Sequence, residues 1–215
     1  VDQRDIRHVF AILQKEAGNW QDATVGNITK DPFFVLVGAL LSHRTQDRTT
    51  HRVLQRLATS FTKPEDFLRV PEEDLARLLY PVGFYREKAK RLQQIARILL
   101  EEYRGKVPES EEELLRLPGV GRKTANLVLS LAFGKPAICV DTHVHRITNR
   151  WGLVATKTPE ETERELQKRL PQDLWGRINK LLVLFGQNVC LPRRPRCSRC
   201  PVASFCKRRG VTDAR

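Results

Sequence analysis

Apolar side chains recur at spacings of three and four along nearly the whole chain, and no stretch of useful length alternates apolar with polar. That periodicity supplies amphipathic helices and offers nothing from which to build a sheet. The expected fold is therefore all-α, with many short helices joined by Pro/Gly turns. Ile6, Val9, Phe10 and Leu13 make the first apolar stripe. In "DPFFVLVGALLS", Asp31 is placed as an N-cap and Pro32 at the first helical position, after which the helix is apolar on all sides. Such a helix must be central. Further stripes run through Val53, Leu54, Leu57 and Phe61, and through Ala89, Leu92, Ile95, Ala96 and Leu99, the latter stopping near Gly105. "KPEDFLRV" and "PEEDLARLLY" each open on a proline, Ser110 with Glu113 forms a capping box, and Thr158 with Glu161 forms another.

Charge narrows the partners. The 215 residues carry 38 Lys+Arg against 25 Asp+Glu, a net charge of +13. An excess of that size favours a polyanion, with nucleic acid ahead of an anionic membrane surface. No apolar run approaches the ~18 residues that a membrane span needs. The chain shows no signal peptide, so a reducing compartment is expected. It opens on Val1 and contains no Met, which implies processing at its start.

The stretch "LRLPGVGRKTANLVLSLAFG" sets two cations, Arg122 and Lys123, in the first turn of an apolar helix, where the macrodipole favours acids. Pro118 ends the preceding helix, while Gly119 and Gly121 allow positive φ and bare the backbone around Val120. A turn of this kind followed by a helix N-terminus is an anion site, and a phosphate held there is gripped without reading sequence. The alternative is a plain αα-hairpin closed by glycines. Lys123 can serve as one more phosphate cation. Yet dipole and desolvation both disfavour an ammonium at such a helix start, and a neutral amine is a nucleophile able to form a Schiff base. That chemistry needs a carboxylate, and Asp141 in "AICVDTHVHR" is the candidate, with N-capping of the next helix as its other role. His143 and His145 of that helix are candidate DNA contacts.

Four of the five cysteines, Cys190, Cys197, Cys200 and Cys206, follow C-x6-C-x2-C-x5-C. This crowding indicates a metal site rather than disulfides. Four thiolates can hold tetrahedral zinc or a [4Fe-4S] cube, and a single close pair mildly favours the cube. Leu191 to Gly210 holds seven Lys/Arg and no acid, so this segment needs ligands to hold it. Arg193, Arg194 and Arg196 stand between the first two cysteines on a loop pinned at both ends, suited to phosphate. Cys139, apart from the rest, reads as a small buried residue.

Taken together, "LPGVGRKTA", "VDTHVHR" and the cysteine tail resemble the endonuclease III family of helix-hairpin-helix DNA repair glycosylases, over nearly the whole chain. The resemblance implies two helical domains with a DNA cleft between them. A six-helix domain would span 25–135, with its hairpin at 111–134. A [4Fe-4S] cluster domain would combine 1–24 with 136–215, the cluster lying at 190–206. It implies that Lys123 is the nucleophile and Asp141 its partner, in a bifunctional glycosylase and AP lyase of base excision repair. Such an enzyme removes oxidised pyrimidines and cuts abasic sites by β-elimination. It further implies DNA contacts at Gly119, Val120, Gly121 and Arg122, and a pocket lined by Ser42 and Asp47. Arg44 would fill the hole left by the flipped base, where bacterial relatives often carry Gln, and Phe84 would match a second wedge, the alternative being a Phe of the core. The implied partner is double-stranded DNA with damaged bases or abasic sites, bound by a monomer with no membrane association. The implied location is the nucleoid of a prokaryote, or the nucleus or mitochondrion of a eukaryote. Competing readings are a monofunctional glycosylase and a non-catalytic DNA-binding module.

Overall fold

The computed structural model describes residues 1–20 and 29–215, and among them every regular element is helical. In chain order these are α1 (Ile6–Ala17), α2 (Pro32–Ser42), α3 (Asp47–Leu57), α4 (Pro64–Leu68), α5 (Glu72–Leu79), α6 (Tyr85–Glu102), α7 (Glu111–Arg116), α8 (Arg122–Leu131), α9 (Thr142–Trp151), α10 (Pro159–Arg169) and α11 (Trp175–Asn188). Short 3-10 turns at Gln3–Asp5, Gln172–Leu174, Cys197–Arg199 and Ala203–Phe205 complete them. No described helix is long and apolar enough to cross a membrane.

Residues Ala23–Lys135 form one compact unit. Its centre is α2, entered as its sequence dictates: the Asp31 carboxylate accepts the Phe34 N–H at 2.9 Å, and Pro32 has no N–H that needs an acceptor. All residues from Phe33 to Leu41 are buried, and α3, α6 and α8 pack around them. Each Phe, Val and Leu side chain among them contributes about 1.5–3 kcal/mol on burial, so this one helix anchors the unit. The stripe of α6 is buried as its spacing requires, and α4 and α5 lie against it. Helices α2 through α8 lie in this unit, the five-residue α4 among them starting on Pro64 as its sequence predicts. The Ser110 cap forms, with the Glu113 N–H donating to its hydroxyl at 3.2 Å. The expected reciprocal arm differs: the Glu113 carboxylate accepts from the Ser110 hydroxyl rather than from its backbone.

Residues Val1–Asp22 and Pro136–Arg215 form the other unit. Here α1 packs on α11, so Ile6, Val9, Phe10 and Leu13 share a core with Val144, Ile147 and Trp151 of α9 and Ile178, Leu182 and Phe185 of α11. Cys190, Cys200 and Cys206 pack against the edge of this core. Thr158 caps α10, but the Glu161 side chain accepts from Lys157 N–H at 2.8 Å, one residue ahead of the cap it was expected to reach.

Candidate DNA interface, active-site residues and cluster site

The hairpin joins α7 to α8 through Leu117–Gly121. Gly119 has φ +75, the left-handed region that favours glycine, and a Cβ there would lie 2.5 Å from Arg91 Cδ. Gly121 departs from expectation: its φ is −103 and ψ 178, extended backbone open to any residue. A Cβ at Gly121 would meet nothing within 4 Å. Its missing side chain therefore keeps open space beside the helix start rather than relieving strain. Val120 is buried, and its N–H donates to Leu117 O at 3.1 Å. Gly119, Gly121, Arg122 and Lys123 remain exposed around it. Arg122 Nη1 lies 3.8 Å from Glu111 Oε1 across the hairpin.

Lys123 occupies the second position of α8, whose burial begins at Thr124 and runs to Leu129. The desolvation expected of the helix therefore stops short of the Lys123 side chain itself. Thr124 Oγ1 is 3.0 Å from Nε2 of His43. Burial first, and then the charges of Lys123, Lys88 and Arg91, lower the His43 pKa to about 4. The imidazole is thus neutral at physiological pH. Its environment is a concentration of cations suited to a polyanion.

Two turns of the same unit carry the remaining candidates. Ser42 spends its hydroxyl on Ala39 O at 2.7 Å, and Asp47 is the first residue of α3, whose N-cap is Gln46. Arg44 and Phe84 are both exposed with left-handed φ, 51 and 56, and the Arg44 guanidinium lies 5.5 Å over the Phe84 ring. Phe84 is 56% exposed, which excludes a core role. Beneath the turns is Lys88, buried on the apolar stripe of α6, with a pKa lowered to about 8 by burial and then by Arg91. Sequence reasoning missed Lys88, His43 and Arg91. Only Lys88 left a signal: a lysine at the helical spacing of Leu92, Ile95 and Leu99.

In the other unit, Asp141 caps α9. Its Oδ1 accepts from both His143 and Val144 N–H groups at 2.9 Å, which aims the carboxylate rigidly. His143 is half-buried with Nδ1 3.1 Å from Arg146 Nη2. His145 is likewise half-buried, and its Nδ1 lies 2.7 Å from the hydroxyl of the buried Thr162.

Cys190, Cys197, Cys200 and Cys206 line one cavity with Trp151, Phe185 and Val189, while Cys139 is buried elsewhere, as expected. Four thiols around one cavity are the donor set that a [4Fe-4S] cube takes. Burial pushes the Cys200 thiol up to about 11 and raises Cys206 in the same direction, a penalty that cationic iron would reverse. Arg150 donates to Cys190 Sγ at 3.5 Å and to Leu191 O and Pro192 O at 2.7 Å each. Arg193, Arg194 and Arg196 are exposed on the loop so anchored. Arg194 Nε pairs with Asp213 at 2.9 Å, and Arg196 donates to Asn188 O at 3.1 Å.

A chain whose described elements are all helical, with a glycine hairpin opening onto paired cations and four thiols around one cavity, has the parts of a helix-hairpin-helix iron-sulfur protein. Comparison with known proteins agrees. The model of the HhH-GPD superfamily of base excision DNA repair proteins matches residues 37–172, and that of the iron-sulfur binding domain of endonuclease III matches residues 190–206. Endonuclease III of Thermotoga maritima is 50% identical over 188 residues, spanning 86% of this chain and 88% of its own. Endonuclease III of Bacillus subtilis is 38% identical, spanning 94% of this chain and 93% of its own. A solved non-covalent endonuclease III–DNA complex superimposes with a TM-score of 0.85 at 34% identity, covering 97% of this chain and 96% of that one. The chain belongs to the endonuclease III family of helix-hairpin-helix DNA glycosylase/AP lyases. It is a DNA-binding enzyme with a [4Fe-4S] cluster as its cofactor.

Proposed function

We propose that the chain removes oxidised pyrimidines from double-stranded DNA and cleaves abasic sites, with Lys123 as nucleophile and Asp141 as its partner. The observation that carries this reading is the exposed lysine at the start of an otherwise buried helix, beside a turn fitted for phosphate. The hairpin backbone at Gly119 and Gly121, with Arg122, holds the strand by its phosphates. Arg193, Arg194 and Arg196 add a second grip. The damaged base leaves the stack, Arg44 and Phe84 occupy the vacated space, and the base enters a pocket lined by Ser42 and Asp47.

The Lys123 amine, once freed of its proton, attacks C1′, and the glycosidic bond breaks with its electron pair leaving on the base, which takes up a proton. Asp141, fixed by its cap, stabilises the cationic sugar and assists removal of the amine proton. Ring opening gives an imine that acidifies the C2′ proton. Loss of that proton expels the 3′ phosphate and breaks the strand. The cluster, when bound, supplies iron–thiolate bonds that hold the Cys190–Cys206 segment, with its four ligands Cys190, Cys197, Cys200 and Cys206.

The chain acts as a monomer where DNA is kept, in a nucleoid, a nucleus or a mitochondrion. Borohydride reduction during incubation with abasic duplex tests the reading. A covalent complex is expected for the unaltered enzyme, and none for Lys123→Gln, which still binds the duplex. An adduct that persists in Lys123→Gln would overturn the assignment. Binding with no adduct in the unaltered enzyme would favour a monofunctional glycosylase or a binding module.

A further inference from the structure

Arg44 and Phe84 lie on different turns, yet both adopt left-handed backbone that is unfavourable outside glycine. Conformations of this kind persist only where the surroundings over-determine them. Lys88 and its neighbours do so here. Its ammonium donates to Leu41 O at 2.9 Å, to His43 O at 2.5 Å and to Thr45 Oγ1 at 3.2 Å, which uses all three of its hydrogens. Leu41 lies in the last turn of α2 and His43 is its C-cap, where a cation also complements the helix dipole. The same Thr45 hydroxyl donates to His43 O at 3.2 Å and accepts the Gly83 N–H at 3.1 Å. Gly83 is pressed so closely to the first turn that a Cβ would lie 2.5 Å from Arg44 O. One buried cation thus fixes the turn that carries Arg44 and, through Thr45, the turn that ends on Phe84. The guanidinium over the ring then follows.

We propose that Lys88 is a positioning residue that locks these two turns into a single wedge, so that Arg44 and Phe84 enter the duplex as one unit. The inference rests on the proposed placing of Arg44 and Phe84 in the space left by the flipped base. Lys88 takes no part in bond making at Lys123. Its loss should fall on extrusion of a base from a stacked duplex, and hardly at all on cleavage of a strand that has neither stack nor partner.

The test compares single-turnover rates on a duplex holding one oxidised pyrimidine with rates on a single-stranded abasic oligonucleotide. Lys88→Met keeps the buried stem and removes the donors. Thr45→Val severs the link to Gly83, and Thr45→Ser keeps the hydroxyl. Lys88→Met and Thr45→Val should slow the duplex reaction roughly tenfold or more, the loss expected from hydrogen bonds to a charged group. Both should leave single-strand cleavage within about twofold, and Thr45→Ser should restore the duplex rate. Where Lys88→Met lowers the melting temperature enough to impair both reactions, the Thr45 pair decides. Equal losses on both substrates in Thr45→Val, or no loss on the duplex, overturn the inference. Absence of cleavage by the unaltered enzyme on either substrate would instead overturn the lyase reading beneath it.

Discussion

The hairpin turn and the cluster loop are both short, basic and exposed, and each is proposed to touch phosphate. They are held by different means. Around Gly119 the restraint comes from the helices themselves: α7 and α8 pack on each other, Val120 is buried, and its amide closes onto Leu117 O. From Leu191 to Arg196 only Pro195 is buried, and polar contacts do most of the holding: Arg150 on Leu191 O and Pro192 O, Arg196 on Asn188 O and Arg194 on Asp213, with cysteines that iron would tie. The hairpin's restraint is thus built into its helices, whereas part of the cluster loop's rests on its ligands.

The sharpest way to break that contrast is Cys200→Ser. The variant should lose iron and the visible absorption near about 400 nm expected of a [4Fe-4S] centre. Trypsin should then cut after Arg193, Arg196 and Arg199, while Arg122 and Lys123 stay resistant although both are trypsin sites. Cluster-loop resistance that survives loss of iron would show that protein contacts alone hold the loop.

Within the hairpin the two glycines separate folding from binding. Gly119→Ala forces a side chain into φ +75 and against Arg91. Arg91 can swing aside but the backbone cannot, so a loss of about 1–3 kcal/mol in stability is expected. Gly121→Ala adds a methyl in open space on extended backbone, and stability should change by less than about 1 kcal/mol. Its effect should appear as weaker binding to an undamaged duplex, since the methyl stands where a phosphate would approach. Denaturant titration and duplex binding of the two variants check this, and equal stability losses would undo the distinction.

These differences bear on what the sequence made legible. The helices of α2 and α6, the Asp31, Ser110 and Asp141 caps and the cysteine spacing all follow from local pattern, because each depends on residues a few positions apart. The role of Gly121 did not, since a glycine needed for open space looks the same as one needed for positive φ. Nor could the reach of Glu113 and Glu161 be read, because a carboxylate near a helix start has several donors within one turn. Lys88 was the largest omission. Its partners lie more than forty positions away along the chain, and nothing local announces that a lysine in an apolar stripe will find three acceptors.

His43 ties acid stability to the hairpin side of the comparison. Its imidazole protonates near the ordinary 6.5 when unfolded and near 4 when folded, because burial and then Lys123, Lys88 and Arg91 oppose the charge. Between those values the unfolded chain binds the extra proton. Stability from this group is therefore whole above pH 6.5, declines as pH falls toward 4 and changes no further below it. The ring is only half-buried, so solvent screening reduces the contribution to about 1–2 kcal/mol. His43→Gln keeps a polar partner for Thr124 and cannot titrate in this range. Urea midpoints at pH 7 and pH 4.5 should converge for the two proteins as the pH falls, the unaltered enzyme losing more. Carboxylates weaken both proteins alike in acid, so the difference between them isolates the imidazole. Parallel declines would mean that His43 accepts its proton as readily folded as unfolded, and that the cationic field around the hairpin start is weaker than its geometry implies.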